Sequence, residues 1–156
     1  MANGHPISAV VGRADVLSTL ARTRISSTFY ADPAPMAAAL ATIRILRDTD
    51  ALERIWTAGS AFQDGLSALV ERHRVPARVV GYPPMPFLQF THPDLIIRER
   101  MSTAFAAEAA EHGVLLHPSH QWFLSAAHTR EDIEFALHGC DQALAALERV
   151  PATHPA

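Results

Sequence analysis

Lysine is missing from the chain, and all 13 residues counted as Lys or Arg are arginines. Without an ε-amino group, the α-amino group of Met1 is the one primary amine available to condense with a carbonyl compound, so imine catalysis in its usual form is excluded for these residues alone. Cysteine is almost as scarce. Cys140 by itself closes no internal disulfide and gives no metal-finger spacing, which makes a reducing, cytoplasmic setting the simplest expectation. Long apolar runs are lacking too: the longest, Pro35 to Leu46, is broken by Thr42 and Arg44 and falls short of the roughly 20 residues of a bilayer span. No membrane helix is expected. Clustered charge is absent, with a formal net charge of −3 and the arginines scattered, which argues against a nucleic-acid track or a polybasic membrane patch.

What is present is a chain of 156 residues, 49% apolar, long enough for one domain with a core. Asn3-Gly4 is a turn signal leading into Ile7 to Val11, an apolar run closed by Gly12. That pattern predicts a strand buried on both faces of a mostly parallel sheet, whose partner strands the chain does not supply. A short helix is expected over Arg13 to Arg22, followed by the hydroxyl-rich connector Ile25 to Tyr30. Asp32 as N-cap and Pro33 in the first turn predict a helix to about Arg47. Its body, MAAALATIRIL, is apolar around most of its circumference and calls for burial between two layers.

Asp50 with Glu53 predicts the start of a second long helix, amphipathic through Trp56, Phe62, Leu66, Leu69 and Val70 and ending near His73. ARVVGY and PFLQF then read as two strands around Gly81 and Pro83-Pro84. Thr91 or Asp94 opens a helix that Gly113 stops. VLLHP and QWFLSAA are expected as third and fourth strands, and Thr129 with Asp132 starts a last helix to about Glu148. From residue 50 to 150 this order describes an α+β sandwich with helices on one side of a small sheet. Residues 1 to 47 stand apart from it, like the edge of a larger α/β domain.

His117, His120 and His128, with His112 nearby, invite a metal reading. No H-E-x-x-H pattern or carboxylate pairing accompanies them, so they are expected to cap turns or line the mouth of a pocket, with no metal site. Trp122 and Phe123 read as core or cleft wall, and Cys140 as a small core residue rather than a nucleophile.

Three stretches, MANGHPISAVVGRADVL, STFYADPAPMAAALATIRIL and GVLLHPSHQWFLSAAHTREDIEFAL, stand in an order and spacing that resembles the C-terminal part of the class III aminotransferases, in particular the branch around glutamate-1-semialdehyde aminomutase. The resemblance covers residues 1 to about 148. It implies the fold-type I architecture: residues 1–47 as a remnant of the large cofactor domain with an interdomain helix, 48–150 as the small α+β domain, and 151–156 as a tail. It also implies pyridoxal phosphate (PLP) as cofactor, and a Schiff-base lysine that would fall about two residues before Met1. No catalytic residue is then carried by this chain.

The same resemblance places Ser27 and Thr28 at the cofactor phosphate of a neighbouring subunit, although Ser27 and Asp32 stand where the family often has glycine and asparagine. The unaided reading of these hydroxyls is that they cap turns. His120, Trp122 and Ser125 are implied as substrate-pocket residues. Ser125 lies near the place where many class III enzymes carry a carboxylate-binding arginine, and a serine-rich ending there fits the aminomutase-like branch. Two function classes follow. One is the C-terminal part of an aminotransferase or aminomutase, homodimeric or joined to a missing N-terminal half and acting on a small amino acid or amine in the complete protein. The other is a non-catalytic folded remnant serving as a dimerisation or binding module.

Overall fold

The computed structural model describes residues 1–23, 28–30 and 32–147. The chain divides into two compact units, Met1–Ala51 and Leu52–Ala156.

In the first unit, helix α1 (Ala14–Leu17) runs into a 3-10 turn over Ser18–Arg22, and helix α2 spans Pro33–Asp48. Asp32 caps α2 as expected. Its carboxylate accepts from the Ala34 N–H, and Pro33 takes the first turn, where the missing donor costs nothing. At the other end the Thr49 hydroxyl donates to the Ile45 carbonyl at 2.7 Å and accepts from the Ala51 N–H at 3.2 Å, marking the passage into the next helix.

Two expectations for this unit need correction. Ile7 to Val11 forms no strand, and Val10 and Val11 are 77% and 85% exposed. A strand exists only through its hydrogen-bonding neighbours, and among the described residues none pairs with this run. Helix α2 buries only Pro35 and Ala39, while Met36, Leu40, Ile43 and Ile45 remain exposed. Its sequence asks for burial on more sides than it receives.

The second unit is built from helix α3 (Ala51–His73), strands β1 (Ala77–Tyr82) and β2 (Met85–Phe90), helix α4 (Leu95–Glu111) and helix α5 (Arg130–Leu147). The strands form an antiparallel hairpin in the register Ala77 with Phe90 and Tyr82 with Met85. Alternate β2 residues Pro86, Leu88 and Phe90 are buried, as the two-residue period of a half-covered strand requires. Phe62, Leu66 and Val70 recur at four-residue spacing on α3, and Ile133, Cys140, Ala143, Leu144 and Leu147 form the stripe of α5. With Phe105 and Ala109 of α4 these residues close one core. Asp94 caps α4 by accepting from the Ile96 and Ile97 N–H groups. The α5 start is a reciprocal box, in which Asp132 accepts from the Thr129 N–H at 2.8 Å and the Asp132 N–H donates to the Thr129 hydroxyl.

The third and fourth expected strands are not strands. VLLHP and QWFLSAA run as irregular chain, but QWFLSAA lies along β2: the Trp122 N–H donates to the Pro86 carbonyl at 2.9 Å and the Leu124 N–H to the Pro84 carbonyl at 3.0 Å. An antiparallel ladder needs each such pair to exchange two bonds. Pro84 and Pro86 have no N–H to return, so the pairing stays one-sided. The sheet therefore has two strands.

Candidate functional site

Trp122 anchors the site. Its ring packs against Phe62, Phe87 and Phe105 at centroid separations of 5.9 to 6.4 Å, and its indole N–H donates to the His117 carbonyl at 2.9 Å. A buried indole needs such a partner, and this one ties the loop before α5 to the core. The Ser102 hydroxyl bonds the Pro118 carbonyl, adding a second tie from α4.

Beside this loop lies an open cleft of about 910 Å³, contained in the second unit and bounded by Leu115, His117, His120, Trp122, His128 and Phe135 among others. Most of its wall is apolar, and the polar groups facing it are chiefly imidazoles. His117 and His128 do cap turns: their Nδ1 atoms accept from the Ser119 N–H at 3.2 Å and the Ser125 N–H at 2.9 Å. His120 sits between the His117 and Phe123 rings, at centroid distances of 5.9 and 5.8 Å. Among the described residues no group of three or more His, Cys, Asp or Glu side chains is arranged to hold a metal ion.

Of the residues expected at a substrate pocket, His120 and Trp122 share the cleft wall. Ser125 is outside that wall, in the turn before α5, where its hydroxyl lies 3.2 Å from Nδ1 of His128. Thr28 is exposed in a turn over residues 28–30 of the first unit, and Ser27 lies outside the described residues. Phe135 and Leu115 are cleft residues that the sequence reading passed over. The signal was present for Phe135, which falls off the Ile133, Cys140, Leu144 stripe of α5 and is 57% exposed.

Cys140 is fully buried, and burial pushes its thiol up to about 12. The thiolate that nucleophilic chemistry requires is thereby suppressed. Across the second unit, the Asp141 carboxylate of α5 accepts from His73 Nε2 at 2.6 Å and from the Arg72 guanidinium at the end of α3. Partial burial alone would raise this carboxyl, but the hydrogen bonds from His73 and Arg72 outweigh it and hold the group below its ordinary value. No helix among the described residues is long and apolar enough to cross a membrane.

The aminotransferase class-III family profile matches residues 1–150. The aminopentol aminotransferase of Sphingopyxis macrogoltabida is 38% identical over 149 residues, covering 95% of this chain and 34% of that protein. The glutamate-1-semialdehyde 2,1-aminomutase of Thermomicrobium roseum is 32% identical over 158 residues, covering 94% of this chain and 37% of that protein. A solved structure of the FumI protein of Sphingopyxis sp. MTA144, in its PLP internal aldimine form, superposes with a TM-score of 0.85 at 36% identity, over 95% of this chain and 35% of the other. The chain spans about a third of the length of these relatives.

Proposed function

The chain belongs to the class III aminotransferase family, and on that premise we propose that it is the C-terminal part of a PLP-dependent aminotransferase or aminomutase-like enzyme. Amino-group transfer is then a property of the complete protein, acting on a small amino acid or amine. The observation that carries this reading is the match along nearly the whole chain to relatives about three times its length. Residues 1–47 correspond in this reading to the edge of the large domain with the interdomain helix, and 48–150 to the small domain.

The residues present fit the cofactor in part. The Thr28 hydroxyl, exposed in the turn over residues 28–30, suits a phosphate oxygen. The N-terminus of α2 nearby does not add to it, because Asp32 already occupies the Ala34 N–H and places a carboxylate there. No lysine is available to hold the carbonyl carbon. PLP, when bound, supplies the electron sink for chemistry at the substrate's amino-bearing carbon. The share assigned to this chain is binding and shaping: Ser27 and Thr28 at the phosphate of a neighbouring subunit, and His120 and Trp122 as a rigid wall facing the substrate, with Ser125 behind it. A homodimer, or a complex with an N-terminal half, follows from a phosphate contact made across subunits, and a cytoplasmic setting suits the reduced Cys140.

A titration with PLP tests this, run on the chain alone and on the chain co-expressed with the N-terminal two thirds of a class III relative. The expected outcome is cofactor absorbance and amino-group transfer in the mixture only, with Thr28→Ala weakening cofactor retention about tenfold, the value of one hydrogen bond to a charged group. Turnover by the chain alone, or none in a mixture that forms a stable complex, would overturn it. The second outcome would favour a non-catalytic module, which the self-contained core of the second unit makes physically reasonable.

A further inference from the structure

Asn3 is the only asparagine in the chain, and a glycine follows it. Both residues are exposed, in a turn closed by one bond from the His5 N–H to the Ala2 carbonyl at 3.3 Å. Their φ values of +38° and +88° belong to a type I′ turn, which asparagine and glycine both enter readily. Among the described residues nothing bonds the Asn3 carboxamide or the Gly4 N–H. A Cβ added at Gly4 would meet nothing within 4 Å, so the space around this peptide is open. An electrophilic carboxamide carbon and the amide nitrogen that can reach it are thus adjacent, exposed and uncommitted.

We propose that Asn3-Gly4 is a site of spontaneous backbone modification, at which Asn3 is converted to aspartate and isoaspartate. The Gly4 nitrogen gives up its proton to solvent base and attacks Cγ of Asn3. A C–N bond forms, and the carboxamide nitrogen leaves as ammonia, with a cyclic imide left in the backbone. One water then opens the ring. Attack at Cγ gives aspartate, and attack at the main-chain carbonyl carbon gives isoaspartate, whose backbone runs through the former side chain. Glycine in second place sets no side chain against the attacking nitrogen. Either product adds a negative charge to the turn. The step needs neither cofactor nor further chain, and goes beyond the amino-group-transfer reading.

Asp64-Gly65 offers the contrast within the same molecule, for Asp64 is exposed as well. Ring closure requires a rotation about the Cα–C bond of the first residue that a closed turn and a closed helix both forbid, so reactivity is decided by how readily each opens. The Asn3 turn opens by breaking one exposed bond. Asp64-Gly65 lies inside α3 between the buried Phe62 and Leu66, and Gly65 packs so closely on α5 that a Cβ would stand 2.4 Å from Cδ1 of Leu137. Freeing that dipeptide means opening the core.

The test is an incubation of the 156-residue chain and of its Asp64→Asn variant in mildly alkaline buffer, followed by tryptic mass mapping and labelling with an isoaspartyl methyltransferase. Cleavage after Arg13, Arg54 and Arg72 puts the two dipeptides in separate fragments, 1–13 and 55–72. Fragment 1–13 is expected to gain the mass that exchanges an amide for an acid and to take up the methyl label. It should react in the folded chain no more than about tenfold slower than as a free peptide, the most that one exposed hydrogen bond protects. In the variant, position 64 has identical chemistry and should convert at least about tenfold more slowly than Asn3. Asn3→Gln should abolish the label in fragment 1–13, because the larger ring it would need closes far more slowly. An Asn3 that stays intact while the free peptide is converted, or a position 64 that keeps pace with Asn3, would overturn the proposal. Either result leaves the amino-group-transfer reading untouched, and failure of cofactor loading leaves this one untouched.

Discussion

Asp141 shows how much a single exposed-side carboxylate can contribute. Its folded-state value lies below the ordinary 3.8, so the folded chain holds the charged form better than the unfolded chain does. The stabilisation is complete above the unfolded value and disappears as pH falls through the lower folded one. Because the Arg72 side chain is 58% exposed, solvent screens that partner, and the contribution is about 0.5–1 kcal/mol. Thermal melts of the parent and Asp141→Asn should differ by a few degrees at pH 7, and the difference should shrink as pH falls through the lowered carboxyl value. Single residues were unevenly legible. Asp32, Asp94, Thr129 and Asp132 were readable as caps because capping is a local contract between a side chain and N–H groups two or three residues on. The Arg72, His73 and Asp141 cluster was not, since it joins positions 68 and 69 residues apart that no spacing rule connects.

At the scale of elements, α3 meets the β1–β2 turn at Gly59, where a Cβ would lie 2.1 Å from the Pro83 carbonyl oxygen. Only glycine allows that approach without moving backbone. Gly59→Ala should therefore lose about 1–3 kcal/mol despite alanine's better helix propensity, measurable as a lower denaturant midpoint with unchanged slope. Element type followed the hydrophobic period where that period was sustained, as in α3 and α5, while α4 was marked by its Asp94 cap and the Gly113 stop rather than by an apolar stripe. It failed for VLLHP and QWFLSAA, whose β-rich composition was right for an extended chain but whose neighbour on β2 offers prolines. Composition reports what a segment can do, and the partner decides whether a ladder forms. The cleft suffered from the same limit: its histidines were legible as turn caps or pocket rim, while their sharing one wall with Leu115 and Phe135 depends on how the loop before α5 packs.

For the molecule as a whole, the two units differ in how they hold themselves together. The second encloses Phe62, Leu66, Phe105, Cys140 and Leu144 in one continuous core. The first has no buried residue in α1 and two in α2. Hydrogen exchange should accordingly find amides of α4 and α5 opening only with global unfolding, and those of α2 exchanging at least about tenfold faster. Equal protection of both in a demonstrated monomer would contradict this. The chain divides into two compact units after Ala51; the assignment of the first to the edge of a larger α/β domain belongs to the proposed function.

The prolines of the hairpin have one more effect. Along its outer edge β2 offers carbonyls at Pro84 and Pro86 and no amide hydrogens beside them, so the edge that the Trp122 to Leu124 segment covers can accept but cannot reciprocate. A strand from another copy, arriving while that segment is detached during folding, would meet the same refusal. The prolines that keep this sheet at two strands thus also remove two ladder donors from the stretch of edge that the Trp122 to Leu124 segment covers, and weaken that stretch as a template for another chain.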